Sequence, residues 1–180
     1  MGPYTSGRSQ VNGIDVSGTT TAEAINFGSL TFNATSTYGQ ELTVSTNASD
    51  GFSVTVQQTA ELSNASSDTI NSFNNSADGS GSTTPIIWRN PLEDFNRPET
   101  YGHMGVTTED DNLSSLDFTG SKYAGLNGVD PMEVMYHNDA VNGTGENQGI
   151  TAVAYSIVVS DLQEAGDYTT TLTYVCTPTY

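Results

Sequence analysis

Ile150-Thr151-Ala152-Val153-Ala154-Tyr155-Ser156-Ile157-Val158-Val159-Ser160 decides the fold class. Val153, Tyr155, Ile157 and Val159 fall on one face of an extended chain, because side chains alternate with period two. The opposite set, Ala152, Ala154 and Ser156, is small, which suits a strand covered on both sides. A second strand follows at 167–176. There Tyr168, Leu172, Tyr174 and Cys176 share one face, while Thr169, Thr171, Thr173 and Thr177 occupy the other. Threonine is β-branched, favours strands, and suits a solvated face. Tyr168, Leu172 and Tyr174 are therefore expected in the core, with Cys176 in the same inward register as a buried, inert thiol. Between the strands, Asp161-Leu162-Gln163-Glu164-Ala165-Gly166-Asp167-Tyr168 reads as a tyrosine corner, in which the phenol bonds to backbone a few residues upstream.

Working outward, Gln40–Ser45 and Phe52–Gln57 also alternate, and Asn47-Ala48-Ser49-Asp50-Gly51 between them supplies turn chemistry. This pattern predicts a hairpin. Further strands are expected near 19–27, 29–33, 103–107 and 121–124, and at Pro85–Trp88 and Glu133–His137. Residues 60–84 read as a long Ser/Asn/Asp/Gly-rich loop, and 139–149 as another. No window carries a helical apolar stripe. The expected fold is all-β: a single β-sandwich of jelly-roll or Greek-key (Ig-like) type with long Ser/Asn/Gly-rich loops over residues 18–180, preceded by a polar leader at 1–17.

Composition narrows function. Thr (26), Ser (20), Gly (18) and Asn (15) dominate the 180 residues, while four Lys and Arg face 21 Asp and Glu, for a net charge of −17. So few cations cannot neutralise a phosphate backbone, which argues against nucleic-acid binding. No run approaches the roughly 20 apolar residues of a membrane span. The single cysteine, Cys176, forbids an internal disulfide and any cysteine-based zinc site. The density of hydroxyl and amide side chains points to an extracellular or cell-surface location after removal of a signal peptide, although Met1–Tyr4 itself lacks a signal's basic and apolar regions. Asn33, Asn47, Asn64, Asn74, Asn112 and Asn142 open Asn-x-Ser/Thr triplets, each a site that permits a glycan in a secreted chain.

Three stretches carry a resemblance: Ile25-Asn26-Phe27-Gly28-Ser29-Leu30, then Leu42 through Val56, and the ending Ala165-Gly166-Asp167-Tyr168-Thr169-Thr170-Thr171-Leu172-Thr173-Tyr174-Val175-Cys176-Thr177-Pro178-Thr179-Tyr180. They resemble bacterial extracellular surface and filament-forming β-sandwich proteins of the kind frequent in candidate-phyla bacteria. The resemblance covers both ends of the chain and implies an extracellular β-sandwich. It carries no catalytic residues across.

The chemistry-bearing residues are sparse. Glu93-Asp94 and Glu109-Asp110-Asp111 are sequence-adjacent acids in loops, where solvated charge is the commoner role than a glycosidase pair. His103 and His137 lack metal-ligand spacing and read as strand-edge or loop histidines. The sequence predicts no enzyme and no resident cofactor. Asp139, Asn142, Thr144 and Glu146 place hard oxygens on a glycine-rich loop and are candidate calcium ligands, against the reading of a plain acidic loop. Lys122, the sole lysine, permits at most one isopeptide crosslink.

Two functions compete. One is a structural subunit of an extracellular filament or pilus, a homopolymer assembled head to tail. In that reading Val11, Ile14 and Val16 of the leader complete a neighbour's sheet as a donor strand; the alternative is an ordinary first strand within its own domain. The other function is a monomeric adhesin or carbohydrate-binding module, which requires Trp88, Tyr101 and Tyr123 to form an exposed platform.

Overall fold

The computed structural model describes residues 2–3, 9–18, 20–73, 82–146 and 148–180. In chain order its strands are β1 (Gly2–Pro3), β2 (Gln10–Val11), β3 (Ile14–Asp15), β4 (Ser36–Thr43), β5 (Phe52–Gln58), β6 (Leu62–Ser63), β7 (Thr69–Ser72), β8 (Ile86–Ile87), β9 (Gly102–Thr108), β10 (Lys122–Tyr123), β11 (Met132–His137), β12 (Ile150–Val159) and β13 (Leu172–Pro178). One 3₁₀ turn at Pro98–Thr100 is the helical content among the described residues. The chain is all-β.

Its strands form several sheets. The largest has six strands in the order β1-β4-β12-β9-β7-β6; a second has three, β11-β5-β13; two short ribbons pair β10 with β8 and β2 with β3. The main pairings are antiparallel, but β7 runs parallel to β9. β12 sits centrally in the large sheet and is buried along nearly its whole length. Val153 and Tyr155 face the core shared with Phe52, Val54 and Val56 of β5 and Val134 of β11, so the three-stranded sheet packs on one face of the six-stranded one. On the other face, Val11 packs against Ala152 and Ala154, and the hydroxyls of Thr37, Ser156 and Tyr123 meet. Ala152 and Ala154 of β12 thus lie under the β2–β3 ribbon, where their small side chains leave room for Val11.

Several expectations are corrected. The segments 40–45 and 52–57 are both strands, but they do not pair with each other: β4 joins β1 and β12, while β5 joins β11 and β13. The turn residues 47–51 cross from one sheet to the other, and Thr46 bridges Val141 instead. Residues 20–33 form no strand. They lie along β4 through Thr20 Oγ1 donating to the Gly39 carbonyl (2.8 Å), Gln40 Nε2 donating to the Thr21 carbonyl (3.1 Å), and Phe27 packed edge-on to Tyr38. Within the stretch read as a loop, β6 and β7 pair, and Leu62, Ile70 and Phe73 are buried.

Candidate functional site

The β13 edge is the first candidate recognition feature among the described residues. Thr59 N–H donates to the Thr171 carbonyl and Thr179 N–H to the Gly51 carbonyl, both at 2.9 Å. In an antiparallel ladder hydrogen-bonded pairs alternate with non-bonded ones. With Leu172 opposite Gln58 and Tyr174 opposite Val56, the inward-bonding positions are therefore 171, 173, 175, 177 and 179. The backbone N–H and C=O groups of Leu172, Tyr174 and Cys176 then face away from β5, and among the described residues no strand pairs with that edge.

The two edges of the three-stranded sheet differ in protection. β11 carries a register shift between Glu133 and Met135, and Glu133 accepts from Ser53 Oγ (2.9 Å) and from the Ser114 backbone (2.6 Å). A bulge and a bridging charge are ordinary guards of a sheet edge. β13, Leu-Thr-Tyr-Val-Cys-Thr-Pro, has no charge, and Val175 on its outer face is half exposed. Only Pro178, at its end, lacks a donor.

Beside this edge runs a groove of about 990 Å³. Its floor is the part of the six-stranded sheet that the three-stranded sheet leaves uncovered: Leu62, Ile70, Met104, Ile157 and Val159. One wall is the 22–32 segment, where Phe32 is largely exposed; the other is the 163–172 segment leading into β13. Tyr168 holds the second wall in place. Its hydroxyl donates to the Glu164 carbonyl at 2.7 Å and accepts from Gln163 Nε2 at 2.8 Å, the geometry expected of a tyrosine corner. Burial raises the Tyr168 phenol's pKa above its ordinary value, keeping it a donor.

Tyr168, Leu172 and Tyr174 are half-buried, packed against the two apolar clusters rather than enclosed within them, because β13 is an edge strand. Cys176 is exposed, which corrects the expected buried thiol: the inner face of β13 runs past the core before residue 176.

No protein-family model, curated protein or solved structure matches the chain. The remaining sequence candidates are placed as follows. Val11 is fully buried against Ala152 and Ala154 of its own chain, Val16 packs partly on the same cluster, and Ile14 pairs with Val11. In this structure the segment forms the β2–β3 ribbon; residues 1 and 4–8 lie outside the described residues. Asp139, Asn142, Thr144 and Glu146 are all exposed, and Asn142 Oδ1 accepts from both the backbone (3.2 Å) and the hydroxyl (2.6 Å) of Thr144. Among the described residues no three His, Cys, Asp or Glu side chains gather to hold a metal. Asn64 Nδ2, the atom a glycan would take, donates to Asp68 at 2.8 Å.

Asp110 serves structure. It accepts from the backbone of Asn112 and of Tyr136, both at 2.9 Å, and burial raises its carboxyl pKa despite those bonds. His103 is buried within β9, an interior strand, rather than at an edge. Trp88 follows β8, stacks on Phe73 (4.5 Å) and leans on Tyr123 (4.8 Å). Tyr123 is buried, and the Tyr101 hydroxyl donates to the Phe95 carbonyl at 2.5 Å, so these three aromatics do not form one exposed platform. The groove was missed in the sequence because its parts come from four separated segments, two of which read as other elements.

Proposed function

We propose that the chain is a non-catalytic structural subunit of an extracellular filament or pilus, joined to a neighbouring copy by strand addition along β13. The observation that carries this reading is the uncharged, unpaired β13 edge lying against an apolar groove. Added strands gain affinity from main-chain hydrogen bonds and specificity from alternate side chains in a groove. Leu172, Tyr174 and Cys176 supply the former, and the Leu62–Val159 floor receives the latter. On this reading the three-stranded sheet is one strand short, and the jelly-roll or Ig-like sandwich is completed only by the neighbour. The β2–β3 ribbon is already used at home, so the donor is another extended segment of the neighbouring copy. Head-to-tail addition does not close on itself and yields a fibre.

Negative-stain imaging and sedimentation of the parent and of Cys176→Pro test the reading. Proline at this edge position removes an outward N–H and leaves the β5 ladder intact. Polymers from the parent and monomers of unchanged melting temperature from Cys176→Pro support strand addition. A parent that stays monomeric at every concentration overturns the filament. Filaments that survive Cys176→Pro move the contact away from β13.

A further inference from the structure

A second recess lies on the opposite face of the six-stranded sheet, between the β2–β3 and β8–β10 ribbons. Its volume is about 460 Å³, within the roughly 300–1,000 Å³ usual for small-molecule sites. One wall is apolar: Trp88, half-buried, beside Ile87, which is 60% exposed. The indole is held from behind by Phe73, with His103 edge-on at 4.9 Å, and from the side by Thr35 Oγ1, which accepts its Nε1–H at 3.0 Å. That cage fixes the ring before any ligand arrives, which lowers the ordering cost of binding.

The polar rim has unspent capacity of both signs. Thr35 Oγ1 accepts from Trp88, and Ser17 Oγ accepts from the Thr37 backbone at 3.3 Å, so both hydroxyls keep a proton to donate. Ser121 Oγ donates to the Asn12 carbonyl at 3.0 Å and keeps lone pairs. Asp15 Oδ1 takes one hydrogen bond from Gln10 Nε2 at 2.7 Å, whereas a carboxylate accepts about four. Donors and acceptors thus ring one flat aromatic wall, and among the described residues no lysine or arginine lines the recess.

This chemistry selects among ligands. An anion would meet Asp15 and a chain of net charge −17, with no cation among the described lining residues to receive it. A cation would find one carboxylate, and the hydroxyl donors of Ser17 and Thr35 would have nothing to serve. A neutral polyol with one apolar face uses every group. We infer that the recess is a subsite for a neutral saccharide, one pyranose ring lying on Trp88 and Ile87 with its hydroxyls bonded to Asp15, Ser17, Thr35 and Ser121. The site is independent of β13 and stands or falls separately from strand addition.

Trp88 is the chain's only tryptophan, so its fluorescence reports on this wall alone. The full chain is titrated with glucose, galactose, mannose, N-acetylglucosamine and their common disaccharides, with sialyllactose as the anionic control and a proline-rich peptide as the protein-ligand control. The expected result is a saturable change with at least one neutral sugar below about 10 mM. Binding should weaken about tenfold in Asp15→Ala and in Ser17→Ala, and Asp15→Ala, at an exposed position, should melt with the parent. No response to any neutral sugar overturns the inference, as does an equal response in both variants. Saturation by sialyllactose or the peptide alone assigns the recess to a different ligand and overturns it equally.

Discussion

The hydroxyls of Tyr155 on β12 and Tyr174 on β13 meet at 2.5 Å, and this phenol pair joins the two sheets directly. Tyr174 also reaches Gln40 Oε1 at 3.4 Å, so the proton order runs from Tyr155 to Tyr174 to Gln40. Burial holds both phenols well above their ordinary pKa, so neither ionises at any ordinary pH. The contact fixes how far β13 stands from the large sheet, and hence the width of the groove beside it.

Removing either hydroxyl therefore has unequal effects. Tyr155→Phe leaves Tyr174 its bond to Gln40 and should cost about 1 kcal/mol. Tyr174→Phe leaves the fully buried Tyr155 hydroxyl without an acceptor and should cost roughly 1–3 kcal/mol. The double variant should cost less than the sum, since both changes break one shared bond. Chemical denaturation of the three variants measures this directly, and additive losses would show that the two hydroxyls act separately.

At the corner, Tyr168→Phe loses the bond to the Glu164 carbonyl and one acceptor for Gln163. Its expected cost is about 0.5–1.5 kcal/mol. Leu172→Ala should cost about 1–2 kcal/mol, short of the roughly 2–5 kcal/mol of an enclosed leucine, because Leu172 is only half-buried. If both variants melt with the parent, the 163–172 wall is not held as described.

Alternation made β5 and β12 legible, because a strand buried on one or both faces writes its environment into every second residue. It did not say which sheet a strand joins. Turn-rich residues 47–51 favour a reversal, yet the chain reverses between layers, and only the core shared by Leu42 and Phe52 settles that. Residues 25–30 carry apolar side chains with strand-like spacing, but Phe27 packs on Tyr38 without a backbone ladder. Conversely, β6 and β7 were hidden in a polar stretch because two short strands need only Leu62 and Ile70 to anchor them. The two recesses lie between segments far apart in sequence, where periodicity has nothing to report.

Gly51 occupies the positive-φ region (φ +79°), and a Cβ added there would lie 1.9 Å from the His137 carbonyl oxygen. Backbone, unlike a flexible side chain, cannot yield cheaply at that distance. Gly51→Ala combines a strained dihedral with a clash between β5 and β11, and should cost more than about 3 kcal/mol, among the larger effects of single substitutions. Gly28 also has positive φ (+63°) but open space around its Cβ position, so Gly28→Ala should cost only about 1 kcal/mol. Equal melting temperatures for the two variants would show that the dihedral alone, and not the β5–β11 approach, governs Gly51.

His103 predicts how stability responds to acid. Burial among Phe73, Trp88 and the strands of the large sheet pushes its pKa down to about 4, against an ordinary 6.5. Its Nε2–H donates to the Arg89 carbonyl at 2.9 Å, so the neutral ring is already satisfied and protonation adds charge without a new acceptor. Between pH 6.5 and 4 the unfolded chain binds a proton here that the folded chain does not, so stability rises with pH across that window and falls on acidification. The full difference amounts to about 3 kcal/mol. His103→Gln keeps an N–H for Arg89 and removes the titration. Its melting temperature should therefore fall less steeply than the parent's between pH 6.5 and 4, with the two curves diverging most near pH 4. Parallel curves across the window would show that groups other than His103 set the acid response.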